Sequence, residues 1–248
     1  MSAPAALPNA SEAGALPLDA VGVPDLGELA AVSADFEDAH PTEIMAWTVE
    51  RFGDDLVVAS SFEDAVLIDI AVRVRPDIEV LFLDTQYHFA ETLWFVEELR
   101  AHYGLDLNVV RPLVDPDNRW QVDLEGCCGV RKVEPLARGL AGKAAWVTGL
   151  KRADSPTRAN APIVSWDVAR SMVKVNPLAT WTDDDLAAYA AEHALLANPL
   201  AERGYPSIGC WPCTRPVAPG EDPRAGRWAG SGKTECGLHL APPSEPAG

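Results

Sequence analysis

The sequence predicts an α/β fold: a mostly parallel sheet with helices on both faces. Short apolar runs alternate with segments of helical spacing through the middle of the chain. Polar or turn-forming residues close each run. The 248 residues, 48% of them hydrophobic, suit one domain with appendages.

Residues 1–24 are rich in Ala and Pro, lack periodicity and read as a disordered leader. Asp25–Phe36 and Pro41–Phe52 follow as two short helices. Asp55–Ser60 is a compact apolar run suited to a buried strand. Ser61–Asp64 is a turn, and Ala65–Val74 has helical spacing of Val66, Leu67, Ile70 and Val74. Ile78–Leu83 is a second strand, followed by Asp84-Thr85 and an amphipathic helix over Ala90–Tyr103. Leu107–Val110 is a third strand, Gly129–Leu140 a helix, and Ala145–Thr148 and Met172–Val175 are further strands. Thr182 is an N-cap, with Asp183, Asp184 and Asp185 in the first turn of the helix it opens. The α/β domain is therefore expected over residues 25–200. An irregular, Gly- and Pro-rich arm follows over 201–240, and 241–248 is a tail. Ligands in such folds sit at the C-terminal ends of strands, where Ser60–Asp64 and Asp84-Thr85 fall.

The net charge is −17, but it is unevenly spread. Residues 1–50 hold nine carboxylates and no Lys or Arg, whereas Arg111–Lys174 holds eleven basic against seven acidic residues. A cationic pocket for a small anion is compatible with that balance, and nucleic acid is excluded by the lack of a broad basic face. No apolar stretch is long enough to cross a bilayer, and no positive n-region marks a secretory signal, so no membrane partner is expected. Five cysteines, an odd number, fit a disulfide framework poorly and suit a reducing cytoplasm.

Those cysteines fall as Cys127-Cys128, Cys210-Trp211-Pro212-Cys213 and a lone Cys236. Four thiolates can hold a metal or an iron–sulfur cluster, and one is left for nucleophilic chemistry. Adjacent cysteines diverge, which the separate corners of a 4Fe–4S cube tolerate better than one zinc ion does. The 4Fe–4S cluster is the preferred reading. A thioredoxin-like reading of Cys210–Cys213 is weakened because Tyr205-Pro206-Ser207-Ile208-Gly209, and no strand, precedes it. Cys236 has Lys233 before it and His239 after it, which favour the thiolate, while Glu235 opposes them. The bland alternative is an incidental cysteine in a frayed tail.

Ser60 and Ser61 open a turn before a helix, where free N–H groups attract phosphate, although Ser and Asp are also ordinary caps. Arg131, Lys132, Lys151, Arg152, Arg158, Arg224 and Arg227 recur after strand ends and beside the cysteines. Singly each is an ordinary solvated charge; together they suggest an anion site, with Lys132 placed between a cluster and a substrate.

These stretches resemble the cluster-containing adenylyl-sulfate reductase branch of the phosphoadenylyl-sulfate reductase family. The resemblance is carried by Leu83-Asp84-Thr85, Cys127–Lys132, Trp146–Leu150 with Pro156-Thr157-Arg158, Lys174–Leu178, Tyr205–Cys213, Arg224–Trp228 and Glu235–His239. It implies an adenine-nucleotide-hydrolase-like (PP-loop-like) Rossmannoid domain. It implies that Cys127, Cys128, Cys210 and Cys213 ligate the cluster and that Cys236 is the nucleophile. It assigns phosphosulfate to Lys132, Arg158, Arg224 and Arg227, adenine to backbone near Leu83 and Gly149, and further substrate contacts to Ser60, Ser61 and His239. The implied reaction reduces adenylyl sulfate to sulfite and AMP through S-sulfocysteine, in sulfate assimilation and cysteine biosynthesis. No resolving cysteine remains, so an external dithiol is expected, and thioredoxin is the natural one. Gln86 stands where the family often has Gly, and Ser60–Asp64 matches its Ser-rich loop loosely. The alternatives are the 3′-phosphorylated substrate, an adenylating pyrophosphatase-type enzyme on the same fold, and a non-enzymatic iron–sulfur sensor. A homo-oligomer is compatible with the sequence.

Overall fold

The computed structural model describes residues 24–233 together with Glu235, Gly237 and Leu238. The leader before Pro24, Cys236, His239 and the tail over 241–248 lie outside the described residues. Two helices come first, α1 (Leu26–Asp35) and α2 (Pro41–Phe52). Asp25 caps α1 by accepting from the N–H groups of Gly27 and Glu28, and Pro41 opens α2, where its missing N–H costs nothing. The core order is then β1 (Leu56–Ser60), α3 (Val66–Val74), β2 (Glu79–Leu83), α4 (Ala90–Tyr103) and β3 (Asp106–Val110).

Two short helical pieces, α5 (Arg119–Val122) and α6 (Leu124–Cys128), precede α7 (Glu134–Gly139). β4 (Ala145–Thr148), β5 (Val164–Asp167), β6 (Met172–Val175) and α8 (Asp183–Glu192) complete the order. The expected helix over Gly129–Leu140 is split: a π-helical turn, Gly129–Val133, joins α6 to α7. Thr182 caps α8 as expected and forms a reciprocal capping box with Asp185.

The six strands lie in the order β3-β2-β1-β4-β6-β5. Every pairing is parallel except β5 with β6. Sequence reading missed β5, a short edge strand whose polar Ser165 and Asp167 hide the apolar run. It is secured from outside, because Ser33 Oγ of α1 accepts from the N–H groups of Ile163 and Val164.

Strand residues alternate between two apolar layers. Val58, Val80, Phe82 and Val147 pack with α1–α4 and α8, whereas Val57, Leu81 and Trp146 pack beneath Leu136 and Leu140 at α7. The helices thus cover both faces, as expected. α7 lies close to the sheet at Gly139, where a Cβ would come within 2.6 Å of Leu81 Cδ1.

Candidate active site

From β1 the chain passes to β2 and β3 on one side, while β4 lies on the other. This reversal opens a crevice beyond Ser60 and Thr148, at the carboxyl ends of β1 and β4. The principal pocket lies there. Its walls bring together Ser60, Ser61, Leu83, Lys132, Gly149, Arg158, Arg224 and Arg227, residues that the sequence assigned to one substrate. Leu238 also lines it, so the C-terminal segment closes one wall.

The turn after β1 is built around Phe62. Its side chain is fully buried and meets Phe82 edge-on at 5.2 Å, which holds its backbone at φ 55. Asn198 Nδ2 donates to Phe62 O at 3.2 Å, and the Phe62 N–H donates to Ser60 Oγ at 3.1 Å. A left-handed conformation at a non-glycine residue costs about 1–3 kcal/mol, which this anchoring offsets. Asp64 Oδ1 accepts from the Val66 N–H at 2.8 Å, one residue ahead of Ala65, which caps α3 without a side-chain bond. Gln86 has φ 67, the left-handed region that favours glycine. The preference for Gly there thus has a backbone cause, and Gln86 in addition accepts a hydrogen bond from Arg131.

Cys127 and Cys128 end α6, and Cys210 and Cys213 bracket a 3₁₀ turn, Trp211–Cys213. All four line one small cavity with Tyr87, Trp120 and Trp228. Burial pushes the Cys127 thiol up, and the facing Cys128 and Cys210 add to the shift. Cys213 is pushed up to about 11 by burial and then by Cys210, with Lys132 opposing. Thr85 Oγ1 and Cys210 Sγ are 3.3 Å apart, within hydrogen-bonding distance. Arg131, 1% exposed, stacks on Tyr87 at 4.5 Å and donates to Asp115 O at 2.8 Å. Its Nε is buried without a protein partner. Among the described residues, no three His, Cys, Asp or Glu side chains form the ligand set of a single metal ion. Lys132, Cys210 and Trp228 line both this cavity and the principal pocket, so the two sites share a wall.

The arginines divide into two groups. Arg227 Nη1 donates to Ser207 Oγ at 3.0 Å and Ile208 O at 3.1 Å, and its guanidinium lies over Trp228 at 4.7 Å. Its Nε has no protein partner. Gly209 makes room for it, since a Cβ there would fall 2.6 Å from Arg227 Nη2. Burial, then the charges of Arg227 and Arg158, make Arg224 less basic than usual, with Asp154 and Glu63 opposing. Arg158 is engaged differently, by Asp154 at 2.8 Å and by Glu235 through Nε at 2.8 Å and Nη2 at 2.6 Å.

Sequence reading gave Glu63 no role in the pocket, and counted Lys151 among the cations of an anion site. Glu63 lines the pocket yet is ringed by protein. Burial pushes its carboxyl up to about 7, with Arg227 opposing. Lys151, from the loop after β4, pairs with Asp183 at 2.5 Å and Asp154 at 3.4 Å. Glu63 was visible in the turn motif, but nothing local showed that it would face Arg227.

The family model of the phosphoadenosine phosphosulfate reductase domain matches residues 55–216. Adenosine 5′-phosphosulfate reductase of Mycolicibacterium smegmatis is 50% identical over 217 residues, covering 84% of this chain and 92% of that protein. The crystal structure of phosphoadenylyl-sulfate reductase from Candida auris superposes with a TM-score of 0.67 at 24% identity, covering 80% of this chain and 98% of its own. The FMN adenylyltransferase of Candida glabrata shares the fold at a TM-score of 0.55 and 12% identity, covering 80% of this chain and 79% of its own. The last two likenesses speak to architecture alone.

Proposed function

The chain belongs to the phosphoadenosine phosphosulfate reductase domain family, and from that premise we propose that it reduces adenosine 5′-phosphosulfate to sulfite and AMP in sulfate assimilation. The observation that carries the reading is the shared wall. A cationic pocket at the sheet's switch point holds Lys132, Arg224 and Arg227, and it adjoins a cavity lined by four thiols. A regulatory sensor has no use for the first, and an adenylating enzyme has none for the second.

Leu83 and Gly149, which line the pocket at the ends of β2 and β4, suit adenine. Arg227 Nε and the clustered charge of Arg224 and Lys132 suit the phosphosulfate. The Cys236 thiolate attacks the sulfuryl sulfur. The S–O bond to phosphate breaks, and its electron pair leaves with AMP. The phosphate is a good leaving group, so the barrier is chiefly anion meeting anion. Fixed cations lower that barrier without having to reorganise. A dithiol such as thioredoxin then attacks Cys236 Sγ, sulfite departs with the bonding pair, and the dithiol ends as a disulfide.

Cys127, Cys128, Cys210 and Cys213 would hold the 4Fe–4S cluster. Four thiols around one cavity, Thr85 against Cys210 and the unpartnered Arg131 Nε fit such a group. When bound, it supplies local charge that organises Lys132, with no change of oxidation state. Thiols of this kind and thioredoxin belong together in the reducing cytoplasm. Among the described residues, no helix is long and apolar enough to cross a membrane.

The test is anaerobic turnover of purified protein with adenosine 5′-phosphosulfate and reduced thioredoxin, with iron and sulfide measured on the same sample. Sulfite and AMP in equal amounts, with about four irons per chain, support the reading. Iron without sulfite points to a sensor, and zinc without sulfite overturns the cluster as well.

A further inference from the structure

The loop after β2 folds back over the strand it leaves. The Gln86 N–H donates to Asp84 Oδ1 at 3.0 Å, and the Tyr87 N–H donates to Thr85 Oγ1 at 3.3 Å. With Gln86 in the left-handed region, these local bonds reverse the chain and return His88 to the end of β2. The His88 ring packs on Phe82 with centroids 4.8 Å apart, and its Nε2 lies 2.9 Å from Leu83 O. On its other side the loop meets the cysteine-bearing turn, where the Trp211 N–H donates to Tyr87 O at 2.8 Å.

These contacts fix the proton on His88. A carbonyl oxygen can only accept, so Nε2 carries the hydrogen and Nδ1 is the bare nitrogen. Nδ1 is buried and has no hydrogen-bond partner among the described residues. A second proton there would be left unsolvated. Burial pushes the imidazole pKa down and the Lys132 charge adds to this, against the bond to Leu83 O and the charge of Asp84. His88 is therefore a neutral donor with one fixed bond.

That bond falls at the mouth of the sheet. Asp84 turns its N–H to Val110 O of β3 at 3.0 Å, so Leu83, one residue earlier in the extended strand, turns its carbonyl the other way, toward β1. The pairing of β1 with β2 has ended by then, at Ser60 and Phe82. His88 thus stands where a strand partner would otherwise hold the carbonyl, and both Leu83 and His88 line the principal pocket. A carbonyl oxygen accepts two hydrogen bonds. His88 gives one, and a donor in the pocket can give the second. Adenine carries an amino group at C6, which donates. Hypoxanthine and guanine carry a carbonyl there, which would meet Leu83 O lone pair to lone pair.

We propose that His88 is a specificity-determining residue, whose Nε2–H holds the Leu83 carbonyl in place so that the base end of the pocket selects a 6-amino purine over a 6-oxo one. This rests on the reductase reading, which puts adenine at Leu83 and Gly149, and adds the side chain that fixes the acceptor. An acceptor on a strand end that can swing discriminates poorly; one locked by a packed neighbour discriminates well.

The experiment titrates AMP and inosine 5′-monophosphate calorimetrically into wild type, His88→Phe and His88→Gln, all as iron-loaded full chains with melting temperature and iron content checked. Phe keeps an aromatic ring on Phe82 and removes the donor, whereas the Gln amide restores a donor to Leu83 O. Wild type should bind AMP at least about 10-fold more tightly than the inosine nucleotide. His88→Phe should cut that preference about 3–10-fold, the size of one neutral hydrogen bond, mainly by weakening AMP. KM for adenosine 5′-phosphosulfate should rise by a similar factor while kcat falls less than about threefold, because the reacting end of the substrate is untouched. His88→Gln should recover part of the preference.

A preference in His88→Phe within about twofold of wild type overturns the proposal. So does an equal weakening of both nucleotides, which marks a merely structural role, or a loss confined to kcat. The ratio of two affinities needs no turnover. AMP binding with an unchanged ratio therefore sinks this inference and leaves the reductase reading standing, whereas a wild type that binds no AMP sinks both.

Discussion

Replacing Gly209 by alanine is the sharpest test of how the anion site is built. A Cβ at this position would lie 2.6 Å from Arg227 Nη2, 2.8 Å from Cζ and 3.0 Å from Nε. Ordinary contacts begin near 3.5 Å, so the guanidinium must retreat by about 1 Å. A shift of that size lengthens the Nη1 bonds to Ser207 Oγ and Ile208 O, now 3.0 and 3.1 Å, beyond hydrogen-bonding range. It also tilts the group off the Trp228 ring. The atoms that move are the far end of a flexible side chain, so the folding cost should stay under about 1 kcal/mol, or roughly 2–4 °C in Tm. The catalytic cost should be far larger, since losing one aligned donor to a developing anion costs about 100–1,000-fold. We expect kcat/KM for sulfite release to fall about 100-fold, equivalent to roughly 3 kcal/mol of transition-state stabilisation. The assay pairs anaerobic turnover with a thermal melt of the same sample. A kcat/KM within threefold of wild type would refute the reasoning. So would a Tm loss above about 8 °C, because the damage would then lie in the backbone rather than at the arginine.

Other outcomes follow from the same geometry. Cys236→Ser should abolish sulfite release while leaving iron content unchanged; residual turnover would remove Cys236 as the nucleophile. Glu63, with its carboxyl at about 7, takes up a proton in the folded state that the unfolded chain releases at lower pH. Its stabilising effect is therefore present at acid pH and lost as pH rises through about 7. Glu63→Gln should match wild type in thermal melts near pH 5 and gain up to about 3 kcal/mol over it by pH 8; a constant difference across that range would exclude this titration. Gly139→Ala forces a methyl against Leu81 Cδ1 and Cδ2, at 2.6 and 2.7 Å. It should cost about 1–3 kcal/mol in denaturant titration, with AMP binding unchanged. Ser33→Ala removes the acceptor shared by the Ile163 and Val164 N–H groups and should destabilise by about 2 kcal/mol in the same titration.

The sequence by itself determined the elements whose signal is local. The apolar runs at β1, β2 and β4 and the Thr182 cap could be read because periodicity and capping act over a few residues. The chemistry was legible for a related reason. Thiols and clustered cations are scarce, so Cys127-Cys128, Cys210–Cys213 and the recurring basic residues stood out before any fold was known. The elements that the sequence hid were those where the local pattern is mixed. The polar residues of β5 concealed an edge strand that Ser33 holds from outside, and the π-helical turn at Gly129–Val133 interrupts a stretch with ordinary helical spacing.

Only the tertiary structure decided how those groups are paired. Nothing near Arg158 announces that Glu235, 77 residues away, grips it. Nothing near Gly209 shows that its missing side chain makes room for Arg227. Phe62 adopts its left-handed φ because its ring is buried against Phe82 of the next strand. Electrostatic and packing energies fall off over a few ångströms, so a side chain's role depends on what the closed fold brings within that distance. A linear pattern fixes which groups are present and how the backbone near them runs; which charge meets which, and which is left to face a substrate, is settled when the sheet and its arm close.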